Sequence, residues 1–400
     1  MTTRGTQERR WRWVETARRW VPQRLRFAIQ RVVSMRGLKL RRLEALNPLA
    51  GVLRGEGRSG ESAVRFGIVR NAAQYHTHFV QACLDLDVPF VVFDLYRSDW
   101  LEQVSAARCD VLLVWPDAVL TTWNTMLKDR VTTLVDELGY ASVPTPAEIW
   151  MYEDKRRMSY WLAANEIPHP RTWVFYERSE AMEFCDRCEL PVVFKTCFGA
   201  ASTGVRILRS RDRLRALVRK AFSRGIAPGG LDWRDRQWGS VLLQEYLPDV
   251  REWRVVRIGD SFLCRFKEKL GDFHSGSGLV RWARPTRTLL DFARSVTDRG
   301  AFRSMAVDVF ETVDGRLLVN ELQAVFGPIR ESNLERGAEH RGRWCYDMAS
   351  ASWTFEAGDY YRNACANERI LDALARGVAR GAPRGSRATN TGEAGAGDEA

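Results

Sequence analysis

The stretch Met305–Gly327, MAVDVFETVDGRLLVNELQAVFG, constrains this chain most, because two β-rich runs flank Asp314-Gly315, a dipeptide that closes two-residue hairpins. A tight turn fixes the register of the strands it joins. With Val313 facing Arg316, Asp308 falls opposite Glu321, their Cβ atoms about 5 Å apart on one face. Like charges so placed repel unless something cationic lies between them. Gln323, two residues along, points to the same face. Two carboxylates and an amide oxygen, with no His or Cys, make a hard-oxygen set suited to Mg²⁺ rather than Zn²⁺. An exposed hairpin with solvated acids is the plainer alternative.

Two other strand pairs add to this. Pro191–Thr196, PVVFKT, leads through the small-residue loop Cys197–Gly204, CFGAASTG, into Val205–Leu208. Such a loop can bring backbone N–H groups close to phosphate oxygens while Lys195 supplies a point charge; an ordinary glycine-containing hairpin loop reads equally well. Trp253–Ile258 and Ser261–Lys267 flank Gly259-Asp260, a turn that sets Arg254 opposite Arg265 and Glu252 opposite Lys267. Opposed arginines repel, so this face calls for an anion over it.

Upstream, Phe66–Arg70, a helix near Gln74–Leu86, Pro89–Leu95, a helix near Ser98–Ala107 and Val111–Trp115 alternate as in a parallel sheet of βαβ units. Neither GxGxxG nor GxxxxGK[ST] follows a strand, which excludes the usual dinucleotide and P-loop readings. Pro144 and Pro146 mark a boundary, Tyr152–Asn165 is helical, and strand pairs dominate thereafter.

The net charge of +11 suggests nucleic acid until it is located along the chain: residues 1–58 hold 15 Lys or Arg and 4 Asp or Glu, so the remainder is near neutral. The body is therefore no basic nucleic-acid surface, and no specific nucleic-acid partner is expected. From Arg9 to Leu43 basic residues alternate with Trp11, Trp13, Trp20, Phe27 and Ile29, a basic amphipathic pattern able to rest on an anionic membrane surface, touch an acidic partner or pack on the body. No apolar run approaches a membrane span and the N-terminus lacks a signal-type core, so a cytoplasmic chain with reduced cysteines is expected. Cys185 and Cys188 form a lone CxxC on a helix and are read as structural.

In their order and spacing these segments resemble the ATP-grasp superfamily, in particular the branch of glutathione synthetase and the ribosomal-protein glutamate ligases, over about Glu61 to Gly327. EDK at Glu153–Lys155 opens a helix leading to IPHPRTW at Ile167–Trp173, and PVVFK follows; LLQEYLP at Leu242–Pro248, REWRVVRIGD at Arg251–Asp260 and the acidic hairpin complete the set. The resemblance implies an α/β ATP-grasp fold, with a parallel α/β lobe ahead of two α+β lobes clasping ATP. It makes Lys155 and Lys195 the nucleotide lysines and places Ala200, Ser202 and Gly204 on the phosphate-covering loop. Glu245, Tyr246 and Leu247 then lie against adenine and Glu252 at ribose. Arg254 and Lys267 act on the transferring phosphate, and Asp308, Glu321 and Gln323 hold two Mg²⁺ ions. Two departures bear on substrate identity: Gln323 stands where relatives usually have Asn, and GDFHSGSGLV at Gly271–Val280 lacks their Asn and Arg. His274 within it is a weak candidate for taking up the amine's proton.

The implied division of the chain is a basic extension and linker over 1–60, with Gly51–Gly60 as the linker, then a pre-ATP-grasp domain over 61–148 and an ATP-grasp domain over 149–335. A C-terminal helical segment covers 336–376 and a disordered tail 377–400. The implied reaction activates a carboxylate as an acyl phosphate for attack by an amine, or less often a thiol, with small-molecule or peptide substrates. The alternatives are a small-molecule kinase on the same fold and an ATP-binding scaffold that works through its basic N-terminus. Homo-oligomers are common among such relatives.

Overall fold

A computed structural model of the chain describes residues 35–57, 64–199, 204–227, 232, 234–269, 271, 279–327, 333 and 335–378. Its strands form three sheets. The first has the order β1-β3-β2-β4-β5, from β1 (Arg54–Gly55), β2 (Phe66–Val69), β3 (Phe90–Phe93), β4 (Val111–Leu113) and β5 (Ala141–Val143). The last four run parallel, joined by the helices Thr77–Asp85, Trp100–Ala107 and Thr121–Asp136. Runs such as Phe66–Val69 are buried throughout, as helices on both faces of a parallel sheet require.

The stretch assigned to a linker, 51–60, is not wholly one. Arg54 and Gly55 pair antiparallel with Val91 and Phe90, while Leu49 and Val52 pack on the core beneath. Covering the edge of β3 removes unpaired backbone groups, and Gly55 permits the approach: a Cβ there would lie 2.4 Å from the Phe90 ring.

The second sheet, order β6-β9-β7-β8, is antiparallel and contains β6 (Thr172–Phe175), β7 (Val192–Lys195), β8 (Val205–Leu208) and β9 (Val241–Glu245). The helices Arg178–Arg187 and Arg211–Ser223 pack their apolar faces on it, and Cys185 and Cys188 are buried in that core as unpaired thiols.

The third sheet carries β10 (Arg251–Ile258), β11 (Ser261–Lys267), β12 (Val280–Trp282), β13 (Ser304–Glu311), β14 (Leu317–Gln323), β15 (Gly342–Asp347) and β16 (Ser352–Ala357). Its order is β14-β13-β10-β11-β15-β16, with β12 also on β11. The last two strands correct the expectation of a helical segment over 336–376. Trp344, Tyr346, Trp353 and Phe355 alternate with period two, which suits a pleat, and Trp344 pairs with Phe355 and Tyr346 with Trp353. A helix follows only at Arg362–Ala375, where Ile370 and Ala373 enter the core of the first lobe. Among the described residues no helix is long and apolar enough to cross a membrane. The basic stretch 9–34, Ala200, Ser202, His274 and the tail from 379 lie outside them.

Candidate functional site

Alternation along β10, β11, β13 and β14 brings the anticipated residues to one face of the third sheet. Arg254 pairs with Arg265 on one side and with Asp308 on the other, Glu252 pairs with Lys267, and Asp308 pairs with Glu321. The last pair arises differently from the sequence reading. The turn is wider than two residues: the Thr312 N–H donates to the Arg316 carbonyl at 3.0 Å, and Glu311, rather than Thr312, pairs with Leu317. That shift by itself would set Asp308 opposite Asn320. A bulge between Val309 and Asp308 absorbs Asn320 and restores Glu321 to the position facing Asp308.

Asn320 is the residue that sequence reasoning missed. It is buried, and its Oδ1 accepts from Lys195 Nζ at 2.9 Å, linking the second sheet to the third. Nothing local in the sequence announces it, because a bulge is a property of two strands together.

Acids and bases alternate across the face. Arg254 grips Asp308 bidentately, Nε to Oδ1 at 2.6 Å and Nη2 to Oδ2 at 2.7 Å, while Lys267 donates to both Asp308 and Glu252. Burial alone would raise the Asp308 carboxyl, but Arg254 and Lys267 more than offset it and hold the group below the usual carboxylate range. Burial works against Lys155 as well, yet Glu321 at 3.2 Å and Glu153 keep its pKa raised. Glu321 in turn is lowered, burial being outweighed by Lys155. Among the described residues Lys195 has no such direct carboxylate partner; burial lowers it to about 8, only partly countered by Glu321.

Several nucleotide assignments gain a structural context. Lys195 ends β7, and Lys155 Nζ donates to the Gly199 carbonyl at 2.8 Å, at the start of the small-residue loop. The helix Lys155–Ala164 begins there because Asp154 caps it, accepting from the N–H groups of Arg156 and Arg157. Gly204 closes the loop, where a Cβ would lie 1.7 Å from Thr196 Oγ1. Glu245, assigned to adenine, has its N–H bonded to the Arg171 carbonyl and its carboxylate to the Arg171 guanidinium, so that donor is already satisfied. Tyr246 and Leu247 follow it half-buried. Glu252, assigned to ribose, is 2 % exposed and accepts from Lys267 Nζ at 2.5 Å.

The donor set fits a hard cation. Gln323 Oε1 is buried with no hydrogen-bond partner among the described residues, and its Nε2 donates to Glu153 Oε1 at 3.2 Å; Glu153 Oε2 is likewise buried and unpartnered. Buried oxygens lacking donors beside two ionised carboxylates are what Mg²⁺ coordinates. Among the described residues no three His, Cys, Asp or Glu form a metal cluster.

A parallel α/β lobe followed by two antiparallel-sheet lobes, meeting where Lys155 and Lys195 reach an acid-and-amide hairpin, makes this chain an ATP-grasp protein in fold. No family model matches the chain. In sequence it is 24% identical over 201 residues to the alpha-aminoadipate–LysW ligase LysX of Saccharolobus solfataricus, covering 48% of this chain and 68% of that one. With LysX of Sulfurisphaera tokodaii it shares 23% over 201 residues, 48% and 67% of the two chains. In structure it resembles a D-alanine–D-alanine ligase from Bacillus anthracis, with a TM-score of 0.52 and 14% identity over 78% of this chain and 98% of that one. The D-cycloserine synthetase DcsG matches with a TM-score of 0.50 and 16% identity over 78% and 99%.

Proposed function

We propose that this protein is an Mg-ATP-dependent ligase that activates a carboxylate as an acyl phosphate and passes the acyl group to an amine. The observation that carries the reading is the convergence of Lys155 and Lys195 on Glu321 and Asn320, next to Asp308 and Gln323. Cations able to bind phosphate and oxygens able to bind metal meet there, and the similarity to LysX sequences supports amide ligation over other uses of the fold.

In this reaction a substrate carboxylate oxygen attacks the γ-phosphorus of ATP and ADP leaves. The amine nitrogen then attacks the acyl carbon, its proton passes to solvent, and phosphate departs as the C–N bond forms. Carboxylate and triphosphate repel by about 4 kcal/mol per charge pair at 4 Å with an effective dielectric near 20. Asp308, Glu321 and Gln323 would hold Mg²⁺, which would supply positive charge to offset that repulsion. Lys155, from the first turn of its helix, and Lys195, from the end of β7, bind and orient the phosphates. Arg254, fixed by its fork on Asp308, presents positive charge on the same face without needing to reorganise.

Between the two sheets the cavity lined by Lys155, Met158, Leu162, Lys195, Leu242 and Asn320 measures only about 10 Å³. Room for a nucleotide there requires the lobes to part, and closure afterwards excludes water from the acyl phosphate. The test is turnover with paired acids and amines. ADP appearing with free phosphate and an amide supports the ligase; a stable phosphorylated product points to a kinase, and nucleotide binding without turnover to a scaffold.

A further inference from the structure

Arg265 stands on the same face as the proposed metal and phosphate residues, yet no part of the scheme above uses it. It pairs directly with Arg254 on β10 and with Trp282 on β12, so all three side chains project to one side of the sheet. Arg265 is 4 % exposed and Trp282 1 % exposed. The guanidinium carbon lies 4.4 Å from the Tyr361 ring centroid, with the Phe326 and Trp282 rings at 5.8 and 5.9 Å. Ring faces hold the plane of a guanidinium but do not accept its in-plane N–H groups.

On the Nε and Nη2 edge those N–H groups lack acceptors among the described residues. Arg265 Nε, Arg265 Nη2 and Trp282 Nε1 are all buried, and none has a hydrogen-bond partner among the described residues. Nε and Nη2 form the edge by which an arginine grips a carboxylate with two parallel bonds, as the neighbouring Arg254 uses it on Asp308. Buried donors of this strength are costly to leave unmade, and their concentration in two paired residues beside a reaction site marks an anion receptor rather than scattered packing defects.

We propose that Arg265 and Trp282 bind a second carboxylate of the acid substrate, making short dicarboxylates the preferred substrate class. This rests on the ligase reading. Paired positions on neighbouring strands are separated by about 5 Å, so an acid whose reacting carboxylate faces Arg254 can place its other carboxylate at Arg265 if only a few carbons separate the two. A phosphate of ATP is the other source of an anion, but Lys155 and Lys195, which meet at Glu321 and Asn320, serve it.

The experiment titrates succinate, glutarate and adipate, against butyrate and hexanoate, into the full chain by calorimetry, with and without Mg²⁺ and a non-hydrolysable ATP analogue. The wild type is expected to bind at least one diacid about tenfold tighter than either monoacid, since one charged bidentate contact separates them. Arg265→Met abolishes that preference while keeping analogue affinity within about twofold, and without acid it melts no lower than the wild type, because buried unpaired donors are removed. Trp282→Phe, which keeps the ring and loses the donor, weakens diacid binding severalfold, providing a test should Arg265→Met fail to fold. Equal binding of diacids and monoacids by the wild type would overturn the proposal. So would an intact preference in Arg265→Met or Trp282→Phe, or a lowered analogue affinity with the acid preference unchanged. Wild type that ignores the ATP analogue sinks the ligase reading instead, and the acid titrations without nucleotide then judge Arg265 separately.

Discussion

Lys195 Nζ and Asn320 Oδ1 are 2.9 Å apart although 125 residues separate them, and their hydrogen bond joins the last residue of β7 to the bulge of β14. Because Lys195 is buried, this contact satisfies a charge that solvent cannot reach. It also senses whether the two sheets are together. Asn320→Ala is therefore expected to cost about 1–3 kcal/mol of stability, the penalty for an unsatisfied buried donor, and to weaken Mg-ATP binding. Calorimetric unfolding and nucleotide titration of the variant check both.

The depressed Lys195 sets a pH dependence. Its pKa falls to about 8 from an ordinary 10.5, so the free protein loses this positive charge as pH rises through about 8. Mg-ATP affinity should decline above that pH, with a proton taken up on binding. For folding the sign is opposite: between about 8 and 10.5 the unfolded chain binds more protons, so stability rises with pH across that window. Titrations and melts from pH 7 to 10.5 on wild type and Lys195→Met test this, the variant showing neither trend.

Removing the Asp308 charge leaves Arg254 and Lys267 buried without it. Asp308→Asn should destabilise by about 3–5 kcal/mol, as breaking a buried ion network does. The group's pKa is held below its ordinary 3.8, so its contribution is present above that pH and is lost as pH falls below it. Acid unfolding curves should show that loss in the wild type and a shallower slope in the variant.

Gly204 has no room for a side chain, its added Cβ colliding with Thr196 Oγ1. Gly204→Ala should displace the closing residue of the loop, at about 1–3 kcal/mol, and reduce Mg-ATP affinity more than stability. Comparing the two quantities for this variant decides it.

The sequence exposes this architecture unevenly. The β10–β11 register was legible because Gly259-Asp260 makes the tight turn its composition suggests, with Ile258 facing Ser261. Asp308 opposite Glu321 was legible as a pair but not in its cause, since the wider turn and the Asn320 bulge cancel. The ion pair of Arg254 with Asp308 was hidden: β10 and β13 are not consecutive, so no turn sets their register, and the anion expected over the opposed arginines proved in part to be the protein's own. The aromatic hairpin at β15 and β16 is hidden in the sequence because its alternation is short and lacks a strong turn dipeptide.

Titrating Mg-ATP into wild type, Glu321→Ala and Lys195→Ala decides whether the hairpin and Lys195 form a nucleotide site. Magnesium-dependent binding by the wild type is expected, with most of that affinity lost in both variants. Wild type that does not bind Mg-ATP, or variants that bind it undiminished, would contradict that expectation.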